Sequence, residues 1–308
     1  MPQHNPPEEE GLRPYGPAIL LTLVVGFAFL AGVKLFNLPS GAAPAGPPPL
    51  PAPGFATMGG FLAYRGFAFL SLVLSAGLAV AAIGAIRLFV AGRRTRDLLL
   101  AVLAAEAGVA LVLTFAGGSA MRDIADGILC SGGRAFQAWE FCALGPGIGG
   151  VQAGLDRWVE AACIVAAGAI VFAIFTVAAA RRPRTLPKWI ASQERCVTLL
   201  LAAGSALLTV RMLLHDSYLR WAFAEFLAVE KPPPPLAAYL GGTATFNGAV
   251  ETAILGLTWL VALLLMERRP PMAAAVRGDP GGAKFSAYNL PAILTPFLTA
   301  VGTGLLRG

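Results

Sequence analysis

Six stretches of this chain are apolar for long enough to cross a lipid bilayer, and no other feature constrains its fold as tightly. A transmembrane helix needs about 20 predominantly apolar residues, with about 17–25 tolerated. Residues 17–36 (PAILLTLVVGFAFLAGVKLF), 64–91, 97–117 (DLLLAVLAAEAGVALVLTFAG), 158–180, 196–214 and 245–266 meet that condition. The second is longer than a bilayer requires, so it tilts or extends past it. Composition points the same way: 13% of residues are charged and 56% hydrophobic, where a soluble domain carries about 25% charge. The expectation is an all-α, polytopic transmembrane helical bundle of six spans over residues 17–266. A further run at 290–306, LPAILTPFLTAVGTGLL, is shorter and broken by Pro296 and Gly302. It reads as an interfacial or re-entrant helix within a tail at 267–308, with a seventh span as the alternative.

The first run is not a good signal peptide. Its preceding tail, 1–16, carries Glu8, Glu9 and Glu10 with Arg13 as its one basic residue, whereas a signal sequence opens on positive charge. It is expected to stay as an anchor. Orientation follows from Lys and Arg, which concentrate in cytoplasmic segments. With the N-terminus inside, the inner segments hold fourteen of these residues and the outer loops five. That bias places both ends in the cytoplasm. The inner ends AGRRTR, AARRPR and MERRPP look repeated, yet the positive-inside rule acting three times explains them. Arg outnumbers Lys 19 to 4, a composition that suits a GC-rich bacterium and hence a multi-pass protein of the bacterial inner membrane.

In this topology loop 118–157 is extracytoplasmic and contains Cys130 and Cys142 in LCSGGRAFQAWEFC. That compartment permits disulfides, and closing such a loop stabilises a local fold by about 2–4 kcal/mol. A zinc site needs four Cys or His ligands, and the two histidines, His4 and His215, lie in the opposite tail and another loop. Redox pairs favour C-x-x-C spacing. The pair is therefore expected to be a structural disulfide. Cys163, in the fourth span, and Cys196, at the start of the fifth, suit helix packing.

The other outer loops carry no catalytic pattern. Residues 37–60 hold seven prolines and no charge, the composition of a semi-rigid spacer. In loop 215–244, Leu219, Ala222, Phe223, Phe226 and Leu227 recur at helical spacing before the proline run 232–235. This suggests an extracytoplasmic amphipathic helix lying on the surface, with Tyr218 and Trp221 outside the stripe at headgroup level.

Ionisable residues within spans cost about 2.5–3.5 kcal/mol or more and mark functional candidates. Glu106, nine residues beyond Asp97, falls near the midplane at about 1.5 Å per residue. A carboxyl there could carry a proton or a cation, or bond to Ser205 or Thr209 of the fifth span. A second group shares an outer depth: Arg65, Glu160, Arg211, His215, Asp216 and Glu251. The simplest arrangement pairs Arg211 with Glu251 and Arg65 with Glu160, tying helices together. The alternative is an outward vestibule for an acidic solute with His215 at its lip.

No span contains a histidine for haem, and no H-E-x-x-H, phosphate-loop or G-x-S-x-G motif occurs. No cofactor, metal or nucleic acid is expected. The leading expectation is a non-enzymatic membrane protein, a structural, assembly or accessory subunit that meets lipid and either protein partners in a membrane complex or further copies of itself. A channel or secondary transporter using Glu106 is the alternative. A lipid- or polymer-modifying enzyme working through the outer charges is the third reading.

Overall fold

The structure is a computed structural model that describes residues 15–36, 55–116, 150–180, 186–222, 234–267 and 281–305. Among them it is all helical, with seven helices and no strand: α1 (Gly16–Phe36), α2 (Phe55–Phe89), α3 (Arg93–Ala116), α4 (Gly150–Ala179), α5 (Leu186–Ala222), α6 (Pro234–Glu267) and α7 (Gly281–Leu305). Four of them, over Leu62–Phe89, Trp158–Ala179, Ala191–Trp221 and Gly242–Met266, are long and apolar enough to cross a membrane. The described apolar part of α1, Gly16–Gly26, is shorter. In α3, Arg93, Arg94, Arg96 and Asp97 fill the first turns and Glu106 the middle, which thins its apolar run.

Helix α4 is the axis of the bundle. Its span is 72% buried, against 28% for α2. Such a helix must be apolar all round, and Phe172, Ala173, Phe175 and Val177 are each fully enclosed. Helices α1, α2, α3, α5 and α6 all pack on α4, while α5 also meets α2, α6 and α7. The outer faces stay apolar: Leu20, Phe69, Val80, Val109, Leu199 and Leu298 all point outward. That pattern belongs to a surface solvated by lipid rather than water.

Polar atoms at the helix ends are answered locally. The last carbonyls of a helix have no partner within it. At the end of α4 the fully buried Gln193 of α5 donates to the carbonyls of Val177 at 2.7 Å and Ala180 at 2.8 Å. Between α2 and α3, Gly92 takes a φ of +85°, a left-handed conformation that glycine enters without steric cost. The chain thus turns within three residues.

Residues 281–305 hold the run expected as an interfacial or re-entrant helix. They form one helix packed along α6 and α5. Gly248 faces Ala300, Thr252 faces Phe297 and Gly256 faces Ile293, so α7 runs antiparallel to α6. Proline 296 removes the N–H that would bond the Ala292 carbonyl. The Ser205 hydroxyl of α5 donates to that carbonyl instead, and the Phe297 N–H donates to Thr252 Oγ1 of α6 at 3.2 Å. Neighbouring helices thereby repair a break that would otherwise argue against burial in a membrane. Position 290–306 read as interrupted because the residues that repair it lie some 45 to 90 positions earlier in the chain.

The α6–α7 seam leaves no room for a side chain at Gly248. A Cβ there would lie 2.6 Å from Ala300 Cβ and 2.9 Å from the Pro296 carbonyl oxygen. Gly248→Ala is expected to destabilise the bundle by about 1–3 kcal/mol through overpacking. Gly84→Ala, where nothing lies within 4 Å, should be neutral or stabilising by up to ~1 kcal/mol. Thermal unfolding of the two variants in the same detergent checks the difference, and equal melting temperatures would contradict the close approach.

Candidate functional site

Three of the charges expected at one depth, Glu160, Arg211 and Glu251, meet where α4, α5 and α6 converge. Arg211 of α5 donates from Nη1 to Glu251 Oε1 of α6 at 2.9 Å and from Nη2 to Glu160 Oε1 of α4 at 3.1 Å. The Glu251 side chain is 1% exposed and that of Arg211 13%, with Glu160 at 23% nearer the edge. One planar guanidinium thus bridges two helices other than its own, as its fork of donors allows. The expected pairing of Arg211 with Glu251 is present. Glu160 lies on Arg211 rather than on Arg65 alone, because α4 is central and brings Glu160 against α5. Arg65 is exposed on α2.

Helical spacing assembles the rest. Glu160 and Cys163 are one turn apart on α4, as Ser71 and Ser75 are on α2, and such pairs share a face. Ser75 Oγ donates to Cys163 Sγ at 3.7 Å, and Ser71 and Cys163 are fully buried. The sequence alone suggested only helix packing for Cys163.

Outward of the arginine, α5 does not stop where expected. Residues 215–222, expected to open an outer loop, continue the helix to Ala222 instead. Nothing between Arg211 and Ala222 breaks a helix, and Asp216 and Arg220 support one another at i, i+4, with Nε donating to both carboxylate oxygens at 3.0 and 2.9 Å. Tyr218, Leu219 and Trp221 are buried rather than exposed to headgroups. They pack on the outer extension of α2, where Tyr64 stacks on Trp221 at 5.6 Å between ring centroids and meets Tyr218 at the same distance. A Cβ on Gly60 would lie 2.9 Å from the Trp221 Cα, so glycine is what admits this contact. His215 is half-buried one turn beyond Arg211. Phe223, Phe226 and Leu227 lie outside the described residues, as do Cys130 and Cys142.

Glu106 stands apart from this cluster. Helix α3 packs mainly on α4, and the two hydroxyls expected to answer Glu106 are placed elsewhere: Ser205 bonds Ala292, and Thr209 Oγ1 is buried without a hydrogen-bond partner among the described residues. Glu106 Oε1 is itself buried with no such partner. Among the described residues no three His, Cys, Asp or Glu side chains gather into a metal-binding group.

Comparison with protein-family models, with curated proteins and with solved structures finds no match. What the site geometry does chemically is bind helices. Opposite unit charges 4 Å apart attract by about 4 kcal/mol at an effective dielectric constant of 20, much of it offset by desolvation. Removing one partner strands the others. Arg211→Met is expected to cost ~3–5 kcal/mol, and adding Glu160→Gln with Glu251→Gln to recover most of that loss. Unfolding in detergent measures both. A single variant within ~1 kcal/mol of the parent would mean that the triad does not tie the helices.

Proposed function

We propose that this chain is a non-catalytic integral membrane subunit, a structural, assembly or accessory component of a larger complex in the bacterial inner membrane. The observation that carries the reading is the use made of the outer charges. Arg211 is engaged across helices with both Glu160 and Glu251, while Arg220 and Asp216 pair within α5. Groups spent on holding helices together are not disposed around a cavity for a solute or substrate. The apolar outer face of α2, the least buried of the four long apolar helices, offers a broad surface to lipid or to another membrane helix. In this reading α1 and α3 cross the membrane with the four long apolar helices, and Cys130 and Cys142 staple an outer loop.

The antiparallel fit of α7 on α6 supports a seventh crossing. If α6 runs inward, α7 runs outward and its C-terminal end emerges on the outer side, leaving only the N-terminus inside. Arg307 then moves outward, and the Lys and Arg count becomes thirteen inside against six outside, a bias still consistent with topology. A second reading, a channel or transporter, is favoured by one observation, the buried Glu106 oxygen without a hydrogen-bond partner.

Gentle detergent extraction from native membranes followed by native mass measurement tests the main reading. A stoichiometric complex with other chains is expected. A lone monomer or homo-oligomer, together with loss of proton-coupled flux in Glu106→Gln, would replace it with the transporter. A C-terminal alkaline phosphatase fusion is expected to be active outside the cytoplasm. Activity of a C-terminal fluorescent fusion alone would return α7 to the inner surface.

A further inference from the structure

Glu251 is enclosed as few carboxylates are, with a side chain 1% exposed in the outer half of the bundle. Its Oε1 accepts from Arg211. Its Oε2 is buried and has no hydrogen-bond donor among the described residues. An ionised carboxylate only accepts, and a buried acceptor left without a donor bears the full cost of its desolvation. Ionised together, Glu160, Arg211 and Glu251 sum to one excess negative charge. We infer that Glu251 is a proton-binding site, taking one exchangeable proton on Oε2 while Oε1 stays on the Arg211 guanidinium. This goes beyond the subunit reading and does not rest on it.

The surroundings favour a proton over a metal cation. A hard cation needs a shell of about six or more oxygen ligands, and the nearest polar group here is a guanidinium at 2.9 Å that repels it. A proton needs one oxygen and no shell. The groups around Glu251 are few. From α4 come Glu160 and Cys163, with Ser71 and Ser75 of α2 beside the thiol. From α5 comes Arg211, with His215 one turn outward and Asp216 held by Arg220. The described side chains of α7 at 290–302 hold no titratable group, and those of α1 at 15–26 hold only Tyr15. Proton uptake leaves Glu160 and Arg211 as a neutral pair beside a neutral acid. The site then balances in charge without dismantling the tie.

The test uses the full chain in lipid vesicles. A hydrophobic carbodiimide reacts with a protonated carboxyl, so treatment of the unaltered protein followed by peptide mapping is expected to place an adduct on Glu251. Infrared difference spectra between acid and alkaline buffer are expected to show a carboxylic-acid carbonyl band. Glu251→Gln should lose both adduct and band, and Glu106→Gln should keep the adduct on Glu251. Absence of that adduct across the pH range, or persistence of the band in Glu251→Gln, would overturn the assignment. So would protection from the reagent by sodium or potassium ions, which would identify a metal-cation site. Should Glu251→Gln fail to assemble, mapping on the unaltered protein decides the matter alone.

Discussion

Hydrocarbon donates and accepts no hydrogen bonds, and nearly every distinctive feature of this bundle answers that constraint. A polar group at membrane depth must find its partner within the protein. Gln193 serves the open end of α4, Ser205 and Thr252 serve the break made by Pro296, and Arg211 serves two carboxylates at once. In each case the partner comes from another helix. The polar contacts therefore double as instructions for which helix lies beside which, information that apolar packing alone conveys poorly in lipid.

Close approach supplies the complementary information. Gly60 under Trp221 and Gly248 under Ala300 and Pro296 are points where backbone meets backbone or ring, and both lie at seams that also carry polar or aromatic contacts. Small residues without such a neighbour, Gly77 and Gly84 among them, face open space. Glycine content by itself thus says little about interfaces. The partner across the seam makes the difference.

Much of this was legible from the chain alone, and the rest failed for identifiable reasons. Length and hydropathy located every helix near its observed place, because a span is a local property. Depth along each span was enough to anticipate that Arg211 would lie with Glu251. Depth could not say which helix is central, so the contact by which α4 presents Glu160 to Arg211 was not anticipated. The end of α5 was misplaced because Asp216 and Arg220 look like a loop when read as isolated charges and like helix when read as an i, i+4 pair. Helix α7 looked broken because its repair lies in α5 and α6. Ser71, Ser75 and Cys163 were invisible as a group, since hydroxyls and a thiol carry no strong pattern until α2 and α4 are laid side by side.

The repaired kink of α7 also bears on how the chain is made. A helix whose carbonyl at Ala292 and amide at Phe297 depend on Ser205 and Thr252 is poorly suited to lipid on its own. Those partners are synthesised earlier, on helices that precede it. The last described helix therefore packs against a surface formed by earlier parts of the chain.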